Sequence, residues 1–178
     1  MVSESTRAAE VVHRLRDFFR TGSTRLEPVL LGQIVGAAAA PFLARAADAG
    51  VKLEVGQLPD AVVLGDRLQL EVVIRNLLAN AFEAVASRAP KQRSVSLRAQ
   101  PAGAGRVALR VEDSGEGLRV EAAARLFEPF RSTKASGLGL GLAISRAIAE
   151  AHGGELSVEA GERGAFTLVL PVEETVRA

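Results

Sequence analysis

Two neighbouring runs of alternating polar and apolar residues constrain the fold more than any other feature. They are SVSLRAQ at 94–100 and RVALRVED at 106–113, joined by the turn-forming stretch PAGAG. Alternation with a period of two predicts β-strands, and a short glycine-containing connection predicts that they pair antiparallel. A doubly wound parallel sheet instead needs a helix between successive strands. This pair therefore argues against that class of fold.

The elements around this pair predict an α/β sandwich. Hydrophobic periodicity and end signals, among them Pro28, Gly50 and an Asp66 N-cap, set the boundaries. The predicted helices are 3–21, 28–49, 67–88, 120–126 and 140–152, and the further strands are 51–55, 61–65, 155–161 and 165–172. In this α+β arrangement a mixed, mostly antiparallel sheet of about five strands is covered on one face by three helices, and the short N-terminal helix lies outside. Roughly twenty structureless residues from Ser114 to Ser136 predict a functional lid.

The composition removes several classes of protein. The chain has no cysteine, which excludes disulfides, thiolate catalysis and cysteine zinc sites, and its two histidines, His13 and His152, exclude a histidine-rich metal site. A net charge of +1 gives no reason to expect nucleic acid or an anionic membrane as a partner. No apolar run approaches the ~20 residues of a membrane span. We expect a soluble, cytoplasmic chain, or the cytoplasmic end of a membrane-bound sensor.

The glycine run SGLGLGLAI at 136–144 precedes a predicted helix. It fails the P-loop pattern, because Gly141 is followed by leucine and alanine instead of lysine and serine or threonine. It also fails the dinucleotide fingerprint, whose third glycine would fall at Ile144. Gly137, Gly139 and Gly141 still allow close backbone approach, and free N–H groups at a helix start favour an anion. A phosphate site and a plain flexible hinge both remain open.

A polar stripe runs along the helix that begins at Asp66. Asn76, Asn80 and Glu83 share one face, and Gln69 extends that face towards the helix start. Amide oxygens are hard ligands that suit Mg²⁺, which completes its shell with water and substrate phosphates. The alternative is a solvated polar face.

The strand RVALRVED ends in a D-x-G-x-G pattern formed by Asp113, Gly115 and Gly117. A carboxylate at a strand end can accept a hydrogen bond from an exocyclic amine such as adenine N6, and glycines let a ligand approach the backbone. The alternative is an ordinary Asp–Ser–Gly turn.

Taken in order, N-x-x-x-N, D-x-G-x-G, LFEPF and G-x-G-x-G resemble the conserved boxes of the ATP-binding domain of sensor histidine kinases, in the GHKL superfamily. The resemblance extends from about Leu26 to Val172. It implies ATP and Mg²⁺ as cofactors and makes the loop 118–136 an ATP lid. It also implies a dimerisation remnant at 1–24, an ATP-binding domain at 25–174 and a tail at 175–178.

The resemblance assigns roles to individual residues. Asn80 would ligate Mg²⁺ and Asp113 would hold adenine. Apart from the resemblance, the position of Lys134 and Arg131 in the lid makes them candidates for cations near the γ-phosphate, and the alternative is that they are merely solvated. The implied nucleotide-binding set is Asn80, Glu83, Asp113, Gly115, Gly117, Leu118, Phe127, Thr133, Gly137, Leu138, Gly139, Leu140, Gly141 and Leu142.

Asn76 separates two kinds of superfamily member. ATP hydrolases and anti-sigma serine kinases have a glutamate general base at this position, whereas an amide cannot take a proton from water or serine. We therefore interpret Asn76 as a positioning residue in a histidine kinase. A serine kinase of the anti-sigma type, or a non-catalytic interaction module, is the alternative.

The phosphoacceptor histidine is predicted to lie outside this chain. His13 is followed by Arg14 and lacks the acidic residue and proline that the resemblance implies, and His152 is interpreted as the cap of a helix end. The implied partners are a histidine on a dimerisation helix, within a homodimer, and the receiver domain of a response regulator. No nucleic-acid or membrane contact is expected.

Overall fold

The computed structural model describes residues 25–103, 105–129 and 139–173. Within these residues the strands are β1 (Glu27–Leu30), β2 (Lys52–Val55), β3 (Val62–Gly65), β4 (Ser94–Pro101), β5 (Arg106–Asp113), β6 (Glu155–Glu159) and β7 (Gly164–Pro171). The α-helices are α1 (Leu31–Ala46), α2 (Arg67–Ala84), α3 (Val120–Arg125) and α4 (Gly141–Ala151), with a short 3₁₀ helix at Pro90–Gln92.

A five-stranded mixed sheet forms the centre of the fold, in the order β2-β4-β5-β7-β6. Strand β2 runs parallel to β4, and the other neighbouring pairs are antiparallel. The predicted hairpin is confirmed, since β4 pairs with β5 from Val95 opposite Asp113 to Pro101 opposite Val107. The sheet confirms the predicted α/β sandwich and places Asp113 at a strand end, beside Gly164 of β7.

Alternation of apolar and polar residues along the strands places the core on one face of the sheet. Leu97, Leu109 and Leu168 point to the helix side and are at most 1% exposed. They pack in one cluster with side chains of α1, α2 and α4, among them Leu77 and Ile148. A period of two in the strands and of 3.6 in the helices is what brings these apolar faces together.

The prediction for residues 28–49 was wrong at its start. Pro28 lies in β1 and pairs with Leu64 of β3, in a separate two-stranded sheet, so the helix begins only at Leu31. Proline lacks a backbone N–H and is tolerated in edge strands as well as in first helical turns, so its position alone does not separate the two. The predicted strand at 61–65 belongs to this small sheet, not to the main one.

Helix α2 carries the polar stripe and begins as predicted. The Asp66 side chain accepts a hydrogen bond from the Gln69 N–H at 3.1 Å, which confirms the N-cap. The helix ends at Ala84 and not at Arg88, because the next residues form turns that lead to the 3₁₀ helix. The predicted helix 3–21 lies outside the described residues.

His152 joins the end of α4 to the start of α2. It is the C-cap of α4, as predicted, and is only 4% exposed. Its Nε2 accepts from the Asp66 N–H at 2.9 Å and its Nδ1 lies 2.7 Å from the Ile148 carbonyl oxygen, which identifies the neutral tautomer with the proton on Nδ1. One buried imidazole therefore ties together the two helices that carry the polar stripe and the glycine run.

Replacing this imidazole should destabilise the fold. His152→Ala leaves the part-buried Asp66 N–H without its acceptor and removes the side-chain donor to the Ile148 carbonyl, which keeps the backbone N–H of residue 152 as a donor. We expect the free energy of unfolding to fall by about 2 kcal/mol. Urea unfolding followed by circular dichroism measures the change. Glu155→Ala, at an exposed position a few residues on, serves as the control and should be near neutral. Equal stability of the two variants would contradict this role of His152.

Candidate functional site

Asn76 of the N-x-x-x-N pattern contacts the helix that follows the glycine run. Its Nδ2 donates to the Gly141 carbonyl oxygen at 3.3 Å and to Ser145 Oγ at 3.1 Å. Ser145 is fully buried, so the pair is held between α2 and α4. Two motifs that are 65 residues apart in the chain therefore meet, with the asparagine acting as a hydrogen-bond donor.

The last part of the glycine run forms the entry to α4. Gly139 has φ +65°, a left-handed conformation that side chains other than glycine rarely adopt. Leu140 is the N-cap of α4 and has no polar side chain to cap it, and Gly141 is the first helical residue. The first-turn N–H groups of α4 are therefore not taken by a capping side chain and can bind an anion. Leu142 is half-buried and packs against the core.

Asp113 is a buried carboxylate at the end of β5. It is 3% exposed, and its Oδ1 accepts from the Gly115 N–H at 2.8 Å. Burial raises the pKa of this carboxyl and Glu112 raises it further, while the N–H groups of Gly115 and Gly164 and the charge of Arg163 act in the opposite direction. Its two oxygens can accept more hydrogen bonds than these two N–H groups supply.

The far end of α2 lies against the turn after Asp113. A Cβ atom added to Gly115 would lie 2.8 Å from the Ala84 carbonyl oxygen and 2.7 Å from Asp113 Oδ1, so only glycine fits there. Asn76 and Ala84 are eight residues apart on one helix, or about 12 Å along its axis. Helix α2 thus connects the carboxylate turn to the entry of α4, over a length that an extended nucleotide can follow.

The segment after Gly117 is tied to the turn between β6 and β7. Leu118 and Gly161 exchange two backbone hydrogen bonds, each 2.9 Å long. Further on, Phe127 is partly buried against the core, and the Arg146 guanidinium of α4 lies 5.2 Å from its ring centroid. These contacts fix both sides of α3, within the predicted lid.

The polar stripe of α2 keeps its predicted face. Asn80 is half-buried and Glu83 is exposed, and both have interaction partners in the structure. Gln69 Oε1 is shielded from solvent and has no hydrogen-bond partner among the described residues. A buried amide oxygen without a partner is uncommon in folded proteins, and it lies on the face that carries Asn76.

Five of the predicted site residues lie outside the described residues. They are Arg131, Thr133, Lys134, Gly137 and Leu138.

Other residues at the site were missed by sequence reasoning. Ser145 Oγ accepts a hydrogen bond from the Asn76 side chain. Gly164 lies against the Asp113 carboxylate, and the Arg88 guanidinium donates to a carbonyl of the turn after Asp113. Ser145 follows Gly141 by one helical turn, which is the available signal for it. Nothing in the local sequence marks Arg88, because its contacts join segments that only the fold brings together.

The opposite face of the sheet carries a groove of about 260 Å³. Its charged side chains pair with one another: Glu112 contacts Arg163 at 2.8 Å and Arg110 at 3.3 Å, and Arg110 also contacts Glu159. Both arginines lower the pKa of Glu112. The groove is therefore lined by paired charges, and the sheet separates it from the side that carries Asp113.

Residues 25–103, 105–129 and 139–173 contain no group of three or more His, Cys, Asp or Glu side chains that could hold a metal ion. No helix in the same ranges is long and apolar enough to cross a membrane.

The sequence profile described as histidine kinase-, DNA gyrase B- and HSP90-like ATPase matches residues 65–174. This span includes α2, the Asp113 turn and α4. The chain belongs to this family. Within it, the chain is similar to sensor proteins and to histidine kinases of known structure.

Curated relatives of this ATPase domain are sensor proteins. The chain is 35% identical over 174 residues to the sensor protein FixL of Bradyrhizobium diazoefficiens, covering 96% of the chain and 34% of that relative. It is 36% identical over 179 residues to the C4-dicarboxylate transport sensor protein DctS of Rhodobacter capsulatus, covering 98% and 27%. The chain thus spans a minor part of the length of these relatives.

Solved structures of histidine kinases share the fold of this ATPase domain. The mycobacterial sensor histidine kinase MprB matches with a TM-score of 0.72 and 28% identity, over 84% of the chain and 100% of that structure. Full-length ShkA in complex with AMPPNP matches with a TM-score of 0.71 and 29% identity, over 84% of the chain and 32% of that structure. Membership of the family supports ATP binding.

Proposed function

We propose that this chain is the catalytic part of a two-component sensor kinase and binds ATP together with Mg²⁺. The γ-phosphoryl group would pass to a histidine on a dimerisation helix of the homodimer, and from there to an aspartate of a response-regulator receiver domain. The observation that carries the proposal is the Asn76 amide, which donates to Gly141 and Ser145. A glutamate base at this position would activate water or serine, whereas an imidazole acceptor needs no such base.

Asp113 is the proposed adenine-binding residue. Its buried carboxylate is oriented by the Gly115 N–H and keeps capacity to accept from an exocyclic amine. A base held there lies in a water-poor environment, where one hydrogen bond discriminates strongly between ligands. Gly115 and Gly117 would let the nucleotide approach the backbone.

Asn80 is the proposed Mg²⁺ ligand, and its half-buried position on the α2 face fits that role. A single hard oxygen is enough on the protein side, because Mg²⁺ completes its shell with water and phosphate oxygens. When bound, the ion would neutralise phosphate charge. The unpartnered Gln69 Oε1 on the same helix face agrees with a polar site that takes further ligands.

The phosphates would meet the entry of α4. Its uncapped N–H groups favour an anion, and Asn76 fixes this helix start by binding the Gly141 carbonyl. We propose Lys134 and Arg131 as cations near the γ-phosphate and Thr133 as a donor to it. Phosphoryl transfer needs little covalent help, so positioning and charge neutralisation would be the main contributions of these residues.

A cytoplasmic location follows from the proposed partners, ATP and a receiver domain. The alternatives are a serine kinase of the anti-sigma type, which Asn76 disfavours, and a non-catalytic interaction module, which the intact Asp113 and glycine run disfavour.

Calorimetric titration with a non-hydrolysable ATP analogue, with and without Mg²⁺, tests the proposal. We expect binding that Mg²⁺ strengthens. Asn80→Ala should remove most of the Mg²⁺-dependent gain, because the ion then loses its proposed protein ligand. Gln100→Ala, at an exposed position of β4, is the control.

The outcomes separate the alternatives. No binding at millimolar nucleotide would favour the interaction module, and an unchanged Mg²⁺ dependence in Asn80→Ala would refute the ligand assignment. With γ-labelled ATP the isolated chain should not label itself stably, since its acceptor is expected elsewhere. Stable self-labelling would contradict the proposed division between acceptor and catalytic part.

A further inference from the structure

Arg88 reaches from the segment after α2 to the turn that follows β5. Its Nε donates to the Ser114 carbonyl oxygen at 3.2 Å and its Nη2 donates to the Gly115 carbonyl oxygen at 3.0 Å. One planar guanidinium therefore holds two consecutive carbonyl groups. A fork of this kind restricts the orientation of both peptide groups more tightly than a single point contact would.

The first of these carbonyls belongs to the peptide group that holds Asp113. The Ser114 carbonyl and the Gly115 N–H are opposite sides of one planar trans peptide. The Gly115 N–H donates to Asp113 Oδ1 at 2.8 Å. Because the peptide plane is rigid, the contact of Arg88 with the Ser114 carbonyl sets the direction in which the Gly115 N–H donates its hydrogen bond to the Asp113 carboxylate.

The backbone of Arg88 is itself anchored. Arg93 donates from Nε to the Arg88 carbonyl oxygen at 2.8 Å. Its other two nitrogens donate to the carbonyl oxygens of Ala49 at 2.8 Å and Ala86 at 2.9 Å. The Arg88 side chain is therefore presented from a segment that is fixed against the ends of α1 and α2.

Ser114 is held to β4 independently of Arg88. Its N–H donates to the Ser94 carbonyl oxygen at 3.0 Å, and its hydroxyl donates to the Gln92 carbonyl oxygen at 2.6 Å. The same hydroxyl accepts from the Ser94 N–H at 2.9 Å. Loss of the Arg88 side chain should therefore leave the sheet intact and release chiefly the peptide between Ser114 and Gly115.

We propose that Arg88 is a positioning residue that orients Asp113 for the recognition of the adenine amine, without contacting the nucleotide. The inference rests on the proposed function and deepens it, because it assigns base selectivity to a residue outside the motifs. If Arg88 orients the carboxylate, loss of the guanidinium weakens the binding of ligands that carry the exocyclic amine. Ligands with a carbonyl at that position cannot donate a hydrogen bond from it to Asp113, so their affinity should not change.

Titration calorimetry with a non-hydrolysable ATP analogue and with inosine triphosphate tests this role. We expect Arg88→Ala to bind the ATP analogue roughly tenfold more weakly, the usual cost of one misplaced hydrogen bond to a charged group. Inosine triphosphate should bind both proteins equally. Arg88→Lys should bind the ATP analogue with an affinity between those of the unchanged protein and Arg88→Ala, since an ammonium has donors but not the planar fork that fits the two carbonyls. Arg98→Ala, at an exposed arginine on the opposite face of the sheet, is the matched control and should be unchanged.

Two more measurements separate positioning from stability alone. In an Asp113→Asn background, Arg88→Ala should cost no further affinity, because both changes act through one carboxylate. Amide hydrogen exchange at Gly115, followed by NMR without nucleotide, should become faster in Arg88→Ala and not in Arg98→Ala.

The inference and the proposed function fail in different ways. Suppose that the unchanged chain binds the ATP analogue and that Asp113→Asn weakens this binding. If Arg88→Ala then changes only the melting temperature, Arg88 is merely structural and the inference is overturned. If the unchanged chain binds no nucleotide at all, the proposed function falls and this role falls with it.

Discussion

Asp113→Asn should weaken binding of a non-hydrolysable ATP analogue by about 100-fold, the largest functional loss we expect from one substitution. The change replaces one of the two acceptor oxygens of a buried carboxylate by an NH₂ donor. In one orientation of the amide, this NH₂ group faces a backbone N–H that donates to the carboxylate in the unchanged protein. In the other orientation it faces the adenine amine, so two donors oppose each other in either case. Losing a hydrogen bond to a charged group in a buried site costs about 1.5–3 kcal/mol.

Glu112→Gln is the matched control for this titration. Glu112 is the neighbouring carboxylate on β5, but it faces the opposite side of the sheet and pairs with Arg163 and Arg110. The Glu112→Gln substitution should leave nucleotide affinity unchanged. Equal affinity of Asp113→Asn and Glu112→Gln, with both proteins folded, would show that Asp113 does not hold the base.

The pH dependence of the unchanged protein provides a second check on Asp113. Because burial raises its pKa, the ionised carboxylate that should accept the adenine amine is lost at a higher pH than for an ordinary aspartate. Nucleotide affinity should fall as the pH drops through this pKa. The stability of the free protein should show the opposite trend, because the fold favours the protonated carboxyl and this contribution to stability is lost as the pH rises through the folded-state pKa. Asp113→Asn should remove both trends.

The sandwich could be predicted from the sequence because periodicity is a local property. The strands SVSLRAQ and RVALRVED pair as expected, and Asp66 caps α2 as its position before the helix indicates. The glycine run and the asparagine pair were ambiguous one at a time, and their joint order carried the interpretation. The contact of Asn76 with Gly141 shows that these two motifs form one region of the fold.

The features that escaped prediction depend on tertiary contacts. Pro28 suits both an edge strand and a first helical turn, and only its pairing with Leu64 selects the strand. Arg88 carries no local signal, because its acceptors are carbonyl groups that any sequence has. The Gly164 backbone lies beside Asp113 through the register of β5 and β7, which alternation of residues does not fix.

Gly117→Ala should have the largest effect on stability, with a loss of about 3 kcal/mol or more in the free energy of unfolding. Gly117 has φ +72°, and the left-handed conformation costs a residue with a Cβ about 1–2 kcal/mol. The added Cβ would also lie 2.0 Å from the Gly161 carbonyl oxygen, and backbone cannot move aside as a flexible side chain can. That oxygen accepts the Leu118 N–H, so relief of the clash breaks this bond.

Gly161→Ala provides the matched control for this pair of turns. An alanine Cβ there would meet open space, and the φ of Gly161 is outside the left-handed region, so its stability should stay within about 0.5 kcal/mol of the unchanged protein. Urea unfolding of both variants measures the difference. Because Gly117 follows Asp113 by only four residues, Gly117→Ala should also weaken binding of the ATP analogue under conditions where it remains folded. If the two alanine variants unfold at the same urea concentration, the close approach of Gly117 and Gly161 does not stabilise the fold, and the glycine is required for ligand access alone.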